Sequence, residues 1–116
     1  MKEFEEIIKG CKAGKRAAQS KLFARLSKKM FGVCMIYTKD TTAAEDVLHE
    51  GFIKVFKNIK QFCGKGSFEG WVRRIMVNTA LERYRKEQRM YSVSQIEDYI
   101  EDISYDDIVS DISARD

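Results

Sequence analysis

The stretch that decides the fold is residues 44–59, AEDVLHEGFIKVFKNI. Its main apolar side chains recur every three or four residues, as Leu48, Phe52, Val55 and Ile59. This spacing places them on one face of an α-helix. The preceding Thr42-Ala-Ala-Glu45 matches a capping box, in which the threonine oxygen accepts a hydrogen bond from a backbone amide. We therefore predict an amphipathic helix that begins at Thr42 and ends near Ile59 or Lys60.

Two further helices are predicted before this one. Apolar residues within 4–11 have helical spacing, and either Gly10 or Gly14 is expected to end that first helix. A longer amphipathic pattern runs from about 16 to 37, and within it Gly32 is expected to allow close packing. The apolar stripe of this long helix comprises Ala18, Leu22, Leu26, Met30, Val33 and Tyr37.

A fourth helix is predicted from Phe68 to about Met90, with Ser67 as its N-cap. Its apolar side comprises Phe68, Trp71, Val72, Ile75, Thr79 and Tyr84. Beyond Ser92 the spacing of Ile96, Ile100 and Ile103 would allow a short amphipathic helix, but serines and acids dominate, so residues 91–116 are expected to be a tail or linker. No internal repeat and no strand-like alternation of useful length occurs. The chain is therefore predicted to be all-α, with four helices in a compact bundle over residues 1–90.

Charge is distributed unevenly along the 116 residues. Residues 1–90 hold 20 of the 21 Lys and Arg and 10 of the 18 Asp and Glu, whereas residues 91–116 hold one arginine and eight acids. A basic helical body favours a polyanionic partner, of which nucleic acid is the commonest, and a merely solvated charged surface is the alternative. No run approaches the roughly 18 apolar residues of a membrane span. Three widely spaced cysteines and no apolar leader predict a cytoplasmic location.

Catalysis and metal binding have little support in the sequence. The single histidine, His49, has no nucleophile near it in the chain. A zinc site would have to combine His49 with Cys11, Cys34 and Cys63 from four separate elements, so buried structural cysteines are the better interpretation. The loop at residues 64–67 resembles a phosphate-binding turn, but no strand precedes it and the full motif spacing is missing. No cofactor is predicted.

Basic residues and one amide share a face of the fourth helix. At 100° per residue they fall within about 60° of one another, as Arg74, Asn78, Arg85 and Arg89. Arginines position phosphates, asparagine can read a base edge, and an unpaired base can stack on an aromatic ring such as that of Phe62. The alternative is that Phe68 and Trp71 belong to the core and that Asn78 is only solvated. The residues alone indicate a helical nucleic-acid-binding domain.

Three blocks in order carry a closer resemblance. They are residues 44–59, then 62–68, then 71–81, WVRRIMVNTAL. Together they resemble region two of the bacterial extracytoplasmic-function sigma factors, over about residues 4–89. The resemblance implies a non-catalytic transcription initiation domain that binds core RNA polymerase and recognises and helps melt the promoter minus-ten element.

The resemblance divides the surface between two partners. In this family the third helix docks on the clamp coiled coil of the largest polymerase subunit, which implies polymerase contacts at Asp46, His49, Glu50 and Lys54. The loop at residues 60–67 corresponds to the family's pocket for a base flipped out of the single-stranded minus-ten element. This second role implies DNA contacts at Lys60, Phe62, Lys65, Ser67, Arg74, Asn78, Arg85 and Arg89.

Three departures from the family pattern qualify this interpretation. His49 stands where the family has glutamine, which adds a titratable group at the polymerase contact. Lys15 follows Gly14 where the family has an N-cap aspartate, so the second helix is expected to have a weaker cap. Residues 91–116 resemble the acidic interdomain linker, and the C-terminal helix-turn-helix domain is expected to be absent. Two alternatives are sequestration of the third helix by an anti-sigma factor and nonspecific nucleic-acid binding.

Overall fold

The computed structural model describes residues 2–102, and their side chains over residues 4–93. Its helices are α1 (Lys2–Lys12), α2 (Arg16–Tyr37), α3 (Thr41–Asn58) and α4 (Phe68–Asp102), with a 3-10 turn at Ile59–Gln61. Residues 2–102 contain no strand, which confirms the all-α prediction. The chain divides into two compact units between Arg83 and Tyr84.

Glycine ends the first helix. Of the two predicted terminators Gly14 is the correct one, with a φ of 75° that favours glycine. The amide of Lys15 donates to the carbonyl of Gly10 at 3.0 Å, and the amide of Gly14 donates to that of Cys11 at 3.0 Å. This pair of bonds is a Schellman motif, which satisfies the last carbonyls of the helix. The following helix α2 has Lys15 at its N-cap with no side-chain hydrogen bond, which confirms the weaker cap.

The N-terminus of α3 differs from the prediction. Asp40, not Thr42, is the N-cap, and its carboxylate accepts a hydrogen bond from the amide of Ala43 at 2.8 Å. An aspartate satisfies this free amide and also carries the negative charge that a helix N-terminus favours. Because Asp40 takes this role, the helix begins at Thr41 and Thr42 lies within its first turn.

Substitution of the two residues distinguishes these caps. We expect Asp40→Ala to lower the free energy of unfolding by about 1 kcal/mol, since the amide of Ala43 loses its acceptor. We expect Thr42→Ala to change it by less than about 0.5 kcal/mol, as is usual for an exposed helix position. Urea unfolding followed by circular dichroism measures both. Equal losses from the two variants would contradict the assignment of Asp40 as the cap.

The fourth helix starts as predicted and extends further. The hydroxyl oxygen of Ser67 accepts a hydrogen bond from the amide of Gly70 at 3.1 Å, which confirms the predicted cap. The helix continues past Met90 to Asp102, so the predicted end was wrong. Residues 71–102 contain neither glycine nor proline, and their many Glu, Arg, Gln and Lys are good helix formers. The rest of the predicted linker, residues 103–116, lies outside the described residues.

The core lies in the first unit and is centred on α3. The predicted α3 stripe is buried throughout, and none of Leu48, Phe52, Val55 and Ile59 is more than 6% exposed. Two residues that were predicted to lie in the apolar stripes of other helices are exposed, so those two predictions were wrong. Tyr37 of α2 is 43% exposed, and in the second unit Tyr84 of α4 is 56% exposed. Each is the last residue of its predicted apolar stripe, where few apolar residues follow at helical spacing to confirm the pattern.

Glycines at two other positions permit the close packing that was predicted for Gly32. Apart from the neighbouring backbone of α2 itself, no atom lies within 4 Å of a Cβ built on Gly32, so that prediction was wrong. A Cβ on Gly10 would lie 2.5 Å from the Cβ of Ala18, where α1 meets α2. A Cβ on Gly51 would overlap the thioether of Met76, where α3 meets α4. These two glycines set the spacing between helices.

Two of the three cysteines behave as predicted. Cys11 and Cys34 are buried, and burial raises the pKa of both thiols, which keeps them protonated. Cys63 is exposed, so the prediction of a buried cysteine was wrong there. It lies in the exposed segment 63–67 before α4. Within residues 2–102 no helix has the length and apolar character needed to cross a membrane.

Candidate functional site

The exposed side of α3 carries three of the four predicted polymerase contacts. We call Asp46, His49, Glu50 and Ile53 the α3 face, since all four are exposed. At about 100° per residue they fall within roughly 100° of arc, on the side of the helix away from the buried stripe. The same helix therefore supplies the core with one side and a partly acidic surface with the other.

Aromatic packing connects the α3 face to the core. The ring of His49 stacks on that of Phe23 with a centroid distance of 6.1 Å and an interplanar angle of 10°. Phe23 in turn packs against the buried Phe52 at 4.9 Å. The imidazole is thus supported on one ring face by α2, although the residue remains exposed. This support limits the rotamers from which His49 can meet a partner.

Two of the predicted polymerase contacts also pair with α4. Asp46 forms a 3.2 Å ion pair with Arg83. The ammonium of Lys54 donates to the hydroxyl of Thr79 at 3.2 Å and to the carboxylate of Glu82 at 2.9 Å. Lys54 lies on the flank of the α3 face and joins α3 to α4. Its side chain is 32% exposed, so its contribution to a partner surface is small.

Glu50 differs from Asp46 and Lys54, because its side chain is not engaged in an ion pair with α4. Within residues 4–93 its carboxylate makes no ion pair, and the residue is exposed. An unpaired carboxylate on a rigid helix can accept a charge-assisted hydrogen bond from an arginine of a partner without first breaking an internal bond. Among the predicted polymerase contacts, Glu50 is therefore the one that the structure leaves ready for an external cation.

The loop between the 3-10 turn and α4 is built by glycines. Gly64 and Gly66 have φ angles of 84° and 75°, a conformation that other residues rarely adopt. The predicted contacts Lys60, Lys65 and Ser67 are exposed around this loop. The start of the loop is fixed by α1, because the ammonium of Lys12 donates to the carbonyl of Phe62 at 2.8 Å. The loop is thus a short exposed segment that carries lysine ammonium groups and is fixed at its start by α1.

Phe62 is buried, whereas stacking on a base requires an exposed ring face. The residue is 8% exposed, and its ring packs against Phe68 at 5.1 Å and Trp71 at 5.6 Å. The alternative that Phe68 belongs to the core is confirmed by its 8% exposure, and Trp71 is half-buried against that core. The Phe62 ring is thus shared with the aromatic cluster, and a base has no open ring face to stack on. Phe62 supports the loop from beneath.

The predicted DNA contacts of α4 are exposed. Arg74 and Asn78 lie in the first unit, four residues apart, and therefore on one side of the helix. Arg85 and Arg89 are exposed in the second unit. Ser67 uses its hydroxyl oxygen to cap α4, which leaves its proton for a ligand. Apart from Phe62, the predicted DNA contacts are accessible to solvent.

Sequence reasoning missed two residues of this region. Ile53 is 65% exposed on the α3 face. The sequence already indicated this exposure, because Ile53 lies outside the apolar stripe formed by Leu48, Phe52 and Val55. Lys12 gave no signal, because its hydrogen bond to Phe62 joins residues 50 positions apart. Helical periodicity can thus identify an exposed apolar residue, whereas a hydrogen bond between distant residues can be identified only once the fold is known.

Comparison with known proteins gives the family. The sigma-70 region 2 profile matches residues 22–90. The chain is 32% identical over 76 residues to the ECF RNA polymerase sigma-E factor of Haemophilus influenzae, covering 66% of this chain and 40% of that protein. It is 30% identical over 84 residues to the ECF RNA polymerase sigma factor SigW of Bacillus subtilis, covering 72% and 45%.

A third relative is the RNA polymerase sigma-H factor of Pseudomonas aeruginosa, 29% identical over 76 residues, which cover 66% of this chain and 39% of that protein. The chain thus spans about two fifths of the length of these curated relatives. The matched segment contains α3, the loop and the first part of α4. The chain therefore belongs to the sigma-70 region 2 family, as a region-two domain of the extracytoplasmic-function type.

Proposed function

We propose that this chain acts in transcription initiation, by binding core RNA polymerase through the α3 face. The observation that carries the proposal is the available carboxylate of Glu50, beside Asp46 and His49, on the outer side of a helix whose inner side is core. Because this helix is packed in place, the face is presented without a folding cost on binding. The partner surface is the clamp coiled coil of the largest polymerase subunit, with arginines opposite Glu50.

Promoter recognition is the second part of the proposal. The glycine loop and the exposed Arg74 and Asn78 take up the single-stranded minus-ten element, with Asn78 at a flipped base and arginines at phosphates. Arg85 and Arg89 of the second unit contact the backbone of the DNA. Lys60, Lys65 and Ser67 line the loop, and Phe62 supports it. The role needs no catalysis and no cofactor, and it takes place in the bacterial cytoplasm.

Oligonucleotide binding tests the promoter part. We expect the wild type to prefer some single-stranded six-base sequences over others, and Asn78→Ala to reduce the preference at one position by about tenfold, because a base-edge contact is lost. Arg74→Ala is the matched control and should weaken binding to all sequences alike. Fluorescence anisotropy on an oligonucleotide panel at fixed salt measures both. Unchanged preference in Asn78→Ala would favour nonspecific nucleic-acid binding instead.

A regulator that sequesters the protein is the remaining partner class. An anti-sigma factor that covers the α3 face would compete with polymerase for the same side chains. The proposal predicts that such a regulator and core RNA polymerase bind in a mutually exclusive way.

A further inference from the structure

We propose that Ile53 is a direct apolar contact to core RNA polymerase, seated at the centre of the α3 face. The inference rests on the proposed function and adds to it a contact that the acidic residues alone do not supply. Ile53 is 65% exposed, although its neighbours Phe52 and Val55 are buried. Its side chain therefore contributes little to the folded core.

The position of Ile53 on the helix supports a contact role. At about 100° per residue it lies roughly 20° from Asp46, between His49 and Glu50, which stand one turn earlier. Lys57, also exposed, stands one turn later on the same side. An apolar side chain is thus enclosed on the surface by two carboxylates, an imidazole and an ammonium group. This arrangement of an apolar centre and a polar rim is typical of protein interfaces.

The surroundings of Ile53 also define the chemistry of its partner. The available Glu50 calls for a cation, and the exposed side chains around Ile53 offer a partner an apolar centre beside that carboxylate. The complementary surface therefore has an apolar depression that receives Ile53, with arginine or lysine beside it. Contacts at the centre of an interface are shielded from water by their rim and contribute most to affinity.

Paired substitutions of two exposed isoleucines test the inference. Ile36, at the end of α2, is 76% exposed and serves as the matched control. We expect Ile53→Ala to raise the Kd for purified bacterial core RNA polymerase about tenfold, and Ile53→Asp about a hundredfold. The same changes at Ile36 should stay within about twofold. Fluorescence titration measures the affinities, and thermal unfolding verifies that each variant folds.

The outcomes separate this inference from the proposed function. If Ile53→Asp binds like the wild type while Glu50→Lys does not, the apolar contact is refuted and the proposed function stands. Equal losses at Ile53 and Ile36 would also refute it, since the effect would then be a general one of surface hydrophobicity. If the folded wild type fails to bind, the proposed function itself is overturned and Ile53 loses its partner.

Discussion

Replacing Phe52 with alanine is expected to lower the free energy of unfolding by about 4 kcal/mol, as is typical for truncation of a buried aromatic residue. The Phe52 ring is 3% exposed and packs against Phe23 at 4.9 Å and Phe56 at 6.0 Å. Its loss leaves a cavity between α2 and α3 and removes the support of Phe23, on which His49 stacks. A domain with a total stability of about 5–15 kcal/mol cannot absorb this without a large shift in its midpoint.

Urea unfolding monitored by circular dichroism measures the effect. Ile53→Ala is the control, because it truncates the adjacent residue of the same helix at a site 65% exposed. The control should change the stability by less than about 0.5 kcal/mol. If both variants lost similar stability, the assignment of Phe52 to the core side of α3 would be wrong.

Gly10→Leu is expected to destabilise the first unit by about 3 kcal/mol through overpacking. A Cβ at this position would lie 2.5 Å from the Cβ of Ala18, an atom attached directly to the α2 backbone. A flexible side chain could rotate away from such a clash, but a Cβ cannot. The helices must therefore separate, and the buried Ile7 and Cys11 of α1 lose contacts with the core.

Gly32→Leu provides the comparison for Gly10→Leu. Gly32 is also helical, but a Cβ added there would meet no atom within 4 Å apart from the neighbouring backbone of α2, so only backbone effects remain. We expect this variant to gain up to about 1 kcal/mol, because leucine favours the helix over glycine. Thermal unfolding measures the two stability changes, which should have opposite signs. A loss of stability in Gly32→Leu would contradict the account of close helix packing.

The helices were predictable because the apolar period repeats over several turns. α2 begins and ends at the predicted residues, and the α3 stripe is buried as predicted. The details at helix ends were less predictable, since two candidates competed for one role. Thr42 fitted a capping box, yet Asp40 holds the amide of Ala43. At the end of α4 the pattern weakened beyond Ser92, but the absence of glycine and proline allowed the helix to continue.

The candidate site was predictable in part. The exposed positions of Asp46, His49 and Glu50 follow from the same helical period that buries the stripe. The engagement of Lys54 by Thr79 and Glu82 does not, because it depends on how α3 packs against α4. The burial of Phe62 is a tertiary effect too, since its ring completes a cluster with residues of α4.

The central claim is that the α3 face binds core RNA polymerase, and one titration tests it most directly. Labelled wild type, Glu50→Lys and the control Glu5→Lys on α1 are each titrated with purified bacterial core RNA polymerase at moderate salt. We predict saturable binding for the wild type and the control, and a loss of affinity of about a hundredfold or more for Glu50→Lys. Equal binding by all three folded proteins, or none by the wild type, would contradict the account.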